Sequence, residues 1–127
     1  MAKNVIRTDH APAPVAAYSQ AVRAGEFLFL SGQIGLDPST GELVAGGVEA
    51  ETRRVLENLR AVLEAGGASF ADVVKINAYL TDMSDFPKFN AIYVTYFESD
   101  PPARATLGVA ALPRGARIEI DATAFLA

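Results

Sequence analysis

Arg104 follows directly on Pro101-Pro102-Ala103, so a rigid double proline fixes where its guanidinium starts. That planar fork can hold a carboxylate through two parallel hydrogen bonds. Glu119 stands between Ile118 and Ile120, and in a strand its side chain leaves the face opposite theirs. A carboxylate so placed can orient or activate a water molecule. The two residues fit an ordinary ion pair between strands or subunits equally well, because structural pairs use the same side chains. Asn90 lies four residues after Phe86 and three before Tyr93. A polar residue on such an apolar stripe is usually a hydrogen-bonded core residue; a cleft residue is the alternative. Tyr18, at a loop–strand junction, and Ser31-Gly32, which interrupts an apolar run, carry little weight singly. A tyrosine in that position packs more often than it reacts.

The composition removes many chemistries. Cysteine is absent and His10 is the single histidine. Disulfides, a thiolate nucleophile, a zinc site built on cysteine and a multi-histidine metal site from one chain are therefore excluded. With His10 in the N-terminal segment, no Ser-His-Asp arrangement is available either. Gly46-Gly47 is not followed by Lys-Ser or Lys-Thr, so it is no phosphate loop. Eleven basic against fifteen acidic residues give a net charge of −4, the wrong balance for a nucleic-acid binder, which clusters Lys and Arg. Met1 to His10 holds no apolar run like a signal peptide, and no segment is long enough to span a bilayer. The expectation is a cytoplasmic protein that needs no metal or organic cofactor and has no nucleic-acid or membrane partner.

The elements that must position these residues are legible as periods. The 127 residues suit one domain, 1–127, with no repeat or linker. Residues 15–32 read as two short strands joined at Ala24-Gly25, and Phe27-Leu28-Phe29-Leu30 is apolar on both faces, as in a strand covered on both sides. A helix over Val48–Ala65 carries Val48, Thr52, Val55, Leu56, Leu59, Val62 and Leu63 on one stripe, and Gly66-Gly67 stops it. Val73–Leu80 alternates, with Val74, Ile76, Ala78 and Leu80 facing one way. Ser84 or Asp85 caps a second helix that tolerates Pro87 in its first turn and buries Phe86, Phe89, Tyr93 and Phe97. Two last strands run near Arg104–Ala110 and Arg117–Phe125. This order predicts an α+β layer sandwich, a mixed sheet with two helices on one face. The other face is too apolar to meet water, and covering it with further copies of the chain is the simplest solution.

The motif Pro102-Ala103-Arg104-Ala105-Thr106-Leu107, followed by Leu112-Pro113 and Ile118-Glu119-Ile120, resembles the signature of the reactive-intermediate deaminase (Rid, or YjgF-type) family. Nearly the whole chain shares the resemblance. Ala17-Tyr18-Ser19-Gln20-Ala21-Val22 is similar to the family's N-terminal strand and Leu30-Ser31-Gly32-Gln33-Ile34 to its Ser-Gly-Gln-Ile element; Phe86-Pro87 with Asn90 and Tyr93 fits its second helix. The resemblance implies a chorismate-mutase-like (bacillar type) fold and a homotrimer with active sites between subunits. It implies hydrolysis of short enamine and imine acids, such as 2-aminoacrylate and 2-iminopropanoate, to 2-keto acids and ammonia. At the matching positions Arg104 binds the substrate carboxylate and Glu119 places the attacking water. Tyr18, Ser31, Gly32 and Asn90 line the cleft, with the main chain around Thr106 touching substrate. Many members carry cysteine where Thr106 stands. A non-catalytic trimeric module that binds 2-keto acids is the competing reading, and the presence of Arg104 counts against it.

Overall fold

The period-2 and period-3.6 segments become strands and helices in the computed structural model, which describes residues 3–127. The strands are β1 (Asn4–Ile6), β2 (Ala21–Ala24), β3 (Phe27–Gln33), β4 (Val73–Leu80), β5 (Ala103–Gly108) and β6 (Ile118–Phe125); the helices are α1 (Gly47–Ala65) and α2 (Phe86–Tyr96). The strands form one mixed sheet in the order β1-β2-β3-β6-β4-β5. Only β4 and β5 pair in parallel, and a parallel pair needs a crossover, which α2 supplies. Along α1 every residue of the apolar stripe is buried, from Val48 to Leu63. Together with Phe89, Ile92, Tyr93 and Phe97 it covers Leu28, Leu30, Ile76, Ala78, Leu80, Ile118 and Ile120 in one core. No helix among the described residues is long and apolar enough to cross a membrane.

The opposite face of the sheet is open in the single chain. Phe27 and Phe29 are 42% and 48% exposed, and their rings lie 6.0 Å apart, with Phe125 5.3 Å from Phe27. Beside this apolar patch the face turns polar. Asn77 Nδ2 donates to Asp121 at 2.9 Å and Tyr79 Oη to the same carboxylate at 3.0 Å.

Several elements differ from their expected bounds. Residues 15–20 form no strand, and an edge strand, β1, pairs with β2 instead. The prolines at 12 and 14 precede that segment, and proline cannot donate to a ladder. Val74 is 45% exposed and Val73 is buried, because the β4–β6 register shifts between Val73 and Lys75; a bulge reverses the faces of residues before it. The strand carrying Arg104 stops at Gly108, short of Ala110. Asp85 occupies the N-cap of α2 without a side-chain bond, and the Asp82 carboxylate takes the Ser84 N–H instead, at 3.0 Å. Phe86 is only partly buried.

Candidate functional site

Strand pairing separates the two charged candidates. Arg104 lies beside Ile76 in the parallel β4–β5 register, and Ile76 is fully buried under the helices. Glu119 lies opposite Tyr79, which has the other parity along β4. Paired residues share a face and successive residues alternate, so within one chain Arg104 and Glu119 project from opposite faces of the sheet. An intrachain ion pair between them is excluded. The candidates divide into two half-sites.

The first half-site is an open groove lined by Asn90, Tyr93, Val94, Phe97, Pro101, Pro102 and Arg104. Arg104 Nη1 donates to Asn90 Oδ1 at 2.8 Å, so the polar residue on the α2 stripe meets the guanidinium. The guanidinium carbon sits 4.7 Å from the Tyr93 ring centre, 5.5 Å from Phe86 and 5.7 Å from Phe89. Rings attract a cation without consuming its N–H donors, which leaves most of the five for an incoming anion. The Tyr93 and Thr106 hydroxyls are buried without hydrogen-bond partners. Burial pushes the Tyr93 phenol up from its ordinary value, and the nearby Arg104 charge opposes that shift.

Strand β5 also offers main chain. The Val109 N–H donates to Leu80 O at 2.9 Å, toward β4. Backbone groups alternate sides along a strand, so those of Arg104, Thr106 and Gly108 point to the free edge, since β5 is the last strand of the sheet. A free edge presents unpaired donors and acceptors.

The second half-site is a cavity of about 330 Å³ whose lining includes Pro12, Tyr18, Ser31, Gly32, Ile34, Leu36, Pro113, Arg114 and Glu119. The β3–β6 register shifts between Leu30 and Gln33, so Ser31-Gly32 forms a bulge. Such bulges re-aim side chains beside functional sites. Here Ser31 Oγ turns to Ser19 O, and a Cβ on Gly32 would collide with the Glu119 carboxylate. Gly32 is therefore the residue that lets Glu119 lie across the main chain. Burial pushes the Glu119 carboxyl above its ordinary range, and the neighbouring Asp121 charge adds to the shift. A half-buried carboxylate of raised pKa is suited to taking and returning a proton.

The family described as endoribonuclease L-PSP matches residues 8–126. The chain is 52% identical to the 2-iminobutanoate/2-iminopropanoate deaminase of Mus musculus, covering 96% of this chain and 90% of that protein. This chain belongs to the RidA/YjgF family. It is also 51% identical to a RutC family protein of Pyrococcus horikoshii, covering 97% and 98% of the two chains. The crystal structure of a Thermotoga maritima putative endoribonuclease superposes with a TM-score of 0.95 at 50% identity, covering 98% of both chains. That of E. coli TdcF with bound serine gives 0.94 at 36% identity, covering 98% of this chain and 99% of that one.

In this family member Arg114, which no sequence pattern marks, also belongs to the site. Its guanidinium donates to Gly41 O at 3.2 Å and it lines the Glu119 cavity. Its φ is +61°, a left-handed conformation that costs an L residue roughly 1–2 kcal/mol. The pattern Pro113-Arg114-Gly115 gave no periodic cue. Glu51 and Asn58, fully buried on α1, were also missed, although both flank the apolar stripe as Asn90 does on α2.

Proposed function

We propose that the chain hydrolyses short 2-imino and 2-enamino acids to 2-keto acids and ammonia. The 52% identity to the mouse 2-iminobutanoate/2-iminopropanoate deaminase, over 96% of this chain and 90% of that protein, carries this reading. Arg104 grips the substrate carboxylate through two parallel hydrogen bonds, and the free-edge main chain at Thr106 supports the same end. Glu119 takes a proton from a water molecule as the water oxygen attacks the imine carbon. Starting from the protonated imine, this gives a neutral carbinolamine. Glu119 returns its proton to the nitrogen, the C–N bond breaks with its electron pair leaving on ammonia, and the hydroxyl proton passes to solvent as the carbonyl forms. Holding water, carbon and anion in register is the main contribution required, because imine hydrolysis needs no covalent intermediate. Tyr18, Ser31, Gly32 and Asn90 shape the site around this geometry.

Arg104 and Glu119 meet only if the Arg104 groove of one copy faces the Glu119 cavity of another. The reading therefore includes a homotrimer in the cytoplasm with sites between subunits. The exposed Phe27, Phe29 and Phe125 supply apolar surface for such packing. The test couples a pyridoxal-phosphate dehydratase that releases the imine to measurement of keto acid. Faster release with the protein supports the activity; unchanged release with tight keto-acid binding favours a non-catalytic ligand module. Cleavage of RNA at comparable enzyme concentration would favour the activity named in the family description, which the charge of −4 opposes.

A further inference from the structure

The buried polar side chains among the described residues are Gln20, Gln33, Glu51, Thr52 and Asn58. Thr52 bonds back to Val48 of its own helix, and Gln33 lines the Glu119 cavity itself. The other three each hold irregular chain at that cavity: Gln20 and Asn58 bond to lining residues, and Glu51 bonds to Arg117, which stands between the lining residues Arg114 and Glu119. Gln20 accepts the Thr8 N–H at 2.7 Å and donates to Thr8 O at 3.0 Å and Pro12 O at 2.9 Å. Asn58 donates to Leu36 O at 3.0 Å and Ile34 O at 3.3 Å, while Arg54 fixes its amide oxygen at 3.0 Å. Glu51 accepts the Arg117 N–H and the Arg117 guanidinium, each at 2.7 Å. Gly35 packs so closely on Glu51 that an added Cβ would stand 3.0–3.2 Å from its carbons.

Such groups are costly to bury unless fully bonded, and their main-chain partners lie in irregular chain rather than in the sheet ladder. We infer that Gln20, Glu51 and Asn58 are positioning residues: they fix three stretches of chain at the Glu119 cavity and thereby the place of the water that Glu119 activates. None touches the reacting atoms. The charged clamp acts closest to the carboxylate, since Arg117 immediately precedes β6, two residues before Glu119.

The inference rests on the proposed hydrolysis but is separable from it. Gln20→Met, Asn58→Leu and Glu51→Ala each remove the polar clamp, and Glu51→Gln keeps an acceptor for the Arg117 N–H. Leu59→Ala, fully buried on α1 in the core, is the matched control for lost stability. Rates are read per folded molecule, well below each melting temperature. The three clamp variants should lose tenfold or more in kcat with KM changed less than threefold, and the acid limb of the pH profile should move. Glu51→Gln should recover to within threefold of the parent, and Leu59→Ala should stay within twofold while melting early. Clamp variants that match Leu59→Ala in kcat and in pH profile would overturn the inference. If the parent protein shows no turnover, the proposed function fails instead. Carboxyl-labelled NMR titration of Glu119 then decides: a pKa moved by the clamp variants and unmoved by Leu59→Ala upholds the inference, and an unmoved pKa overturns it.

Discussion

The Arg104 groove is backed by rings, whereas the Glu119 cavity is backed by buried hydrogen-bonding side chains. Phe86, Phe89 and Tyr93 surround the guanidinium within 5.7 Å, and a single side-chain bond, to Asn90, fixes its direction. Glu119 instead lies over Gly32 in a cavity where Gln20, Glu51 and Asn58 bond to the irregular chain. The difference fits the roles proposed for the two groups. A cation that captures an anion needs attractive neighbours that leave its donors free, and aromatic faces meet that need. A carboxylate that exchanges protons with water needs a fixed, partly dry surround that raises its pKa.

The largest effect is expected at Arg104. Arg104→Ala should cost roughly a thousandfold in kcat/KM, about 4 kcal/mol of transition-state binding, with the melting temperature nearly unchanged. Arg104 is exposed and makes no carboxylate pair among the described residues, so no buried charge is stranded by its loss. Arg104→Lys should also be poor, because a point charge lacks the two-bond fork. An early-melting Arg104→Ala with normal activity per folded molecule would assign the residue to a structural ion pair between subunits.

At Glu119 the expected loss is smaller. Glu119→Gln should lower kcat by on the order of a hundredfold, as removal of an acid–base group does, with substrate binding retained. Its stability should respond in the opposite sense. A carboxyl whose pKa is raised by burial favours the folded state when protonated and opposes it when ionised. Glu119→Gln should therefore melt higher than the parent at neutral pH. The gap should close as pH falls through the raised pKa and vanish below the ordinary carboxylate range. Melting curves across pH on both proteins decide it.

Asp121→Asn gives a smaller effect on the same carboxylate. Asp121 raises the Glu119 pKa by its charge, after burial. Removing that charge should shift the acid limb of kcat/KM to lower pH while leaving the plateau rate within a few-fold. An unmoved limb would mean that Glu119 does not set it.

The two half-sites were unequally visible in the sequence. Arg104 and Asn90 could be placed because proline rigidity and a helical stripe both have periodic or local signatures, and the structure joins them at 2.8 Å. Glu119 could be assigned to the face away from Ile118 and Ile120 by alternation alone. The fold class followed from the same two periods. What alternation could not give is that Arg104 and Glu119 leave opposite faces, since that depends on the register of β5 and β6 against β4. The bulge at Val73–Lys75 likewise reversed Val74 without any sequence mark. The Glu119 cavity is built largely from irregular chain before β2, after β3 and before β6, where no period exists. Its clamps are long-range hydrogen bonds, from Gln20 to Thr8 and from Glu51 to Arg117, and such pairings have no local pattern.

The smallest expected effect is at Thr106, which separates side chain from main chain on the Arg104 side. Its backbone groups point to the free edge of β5, by the alternation that sends the Val109 N–H to Leu80. Its hydroxyl is buried and unpartnered, a position where a hydroxyl contributes nothing and costs desolvation. Thr106→Cys keeps the strand, the edge donors and nearly the side-chain volume, and replaces the hydroxyl with a weaker donor. Imine hydrolysis should therefore change by less than tenfold, under about 1.4 kcal/mol, and the melting temperature should hold or rise slightly. Thr106→Pro would remove the edge N–H itself and should fall much further. If Thr106→Cys loses tenfold or more while remaining folded, the hydroxyl finds a partner in the complex, and the orphaned oxygen is a substrate contact rather than a packing cost.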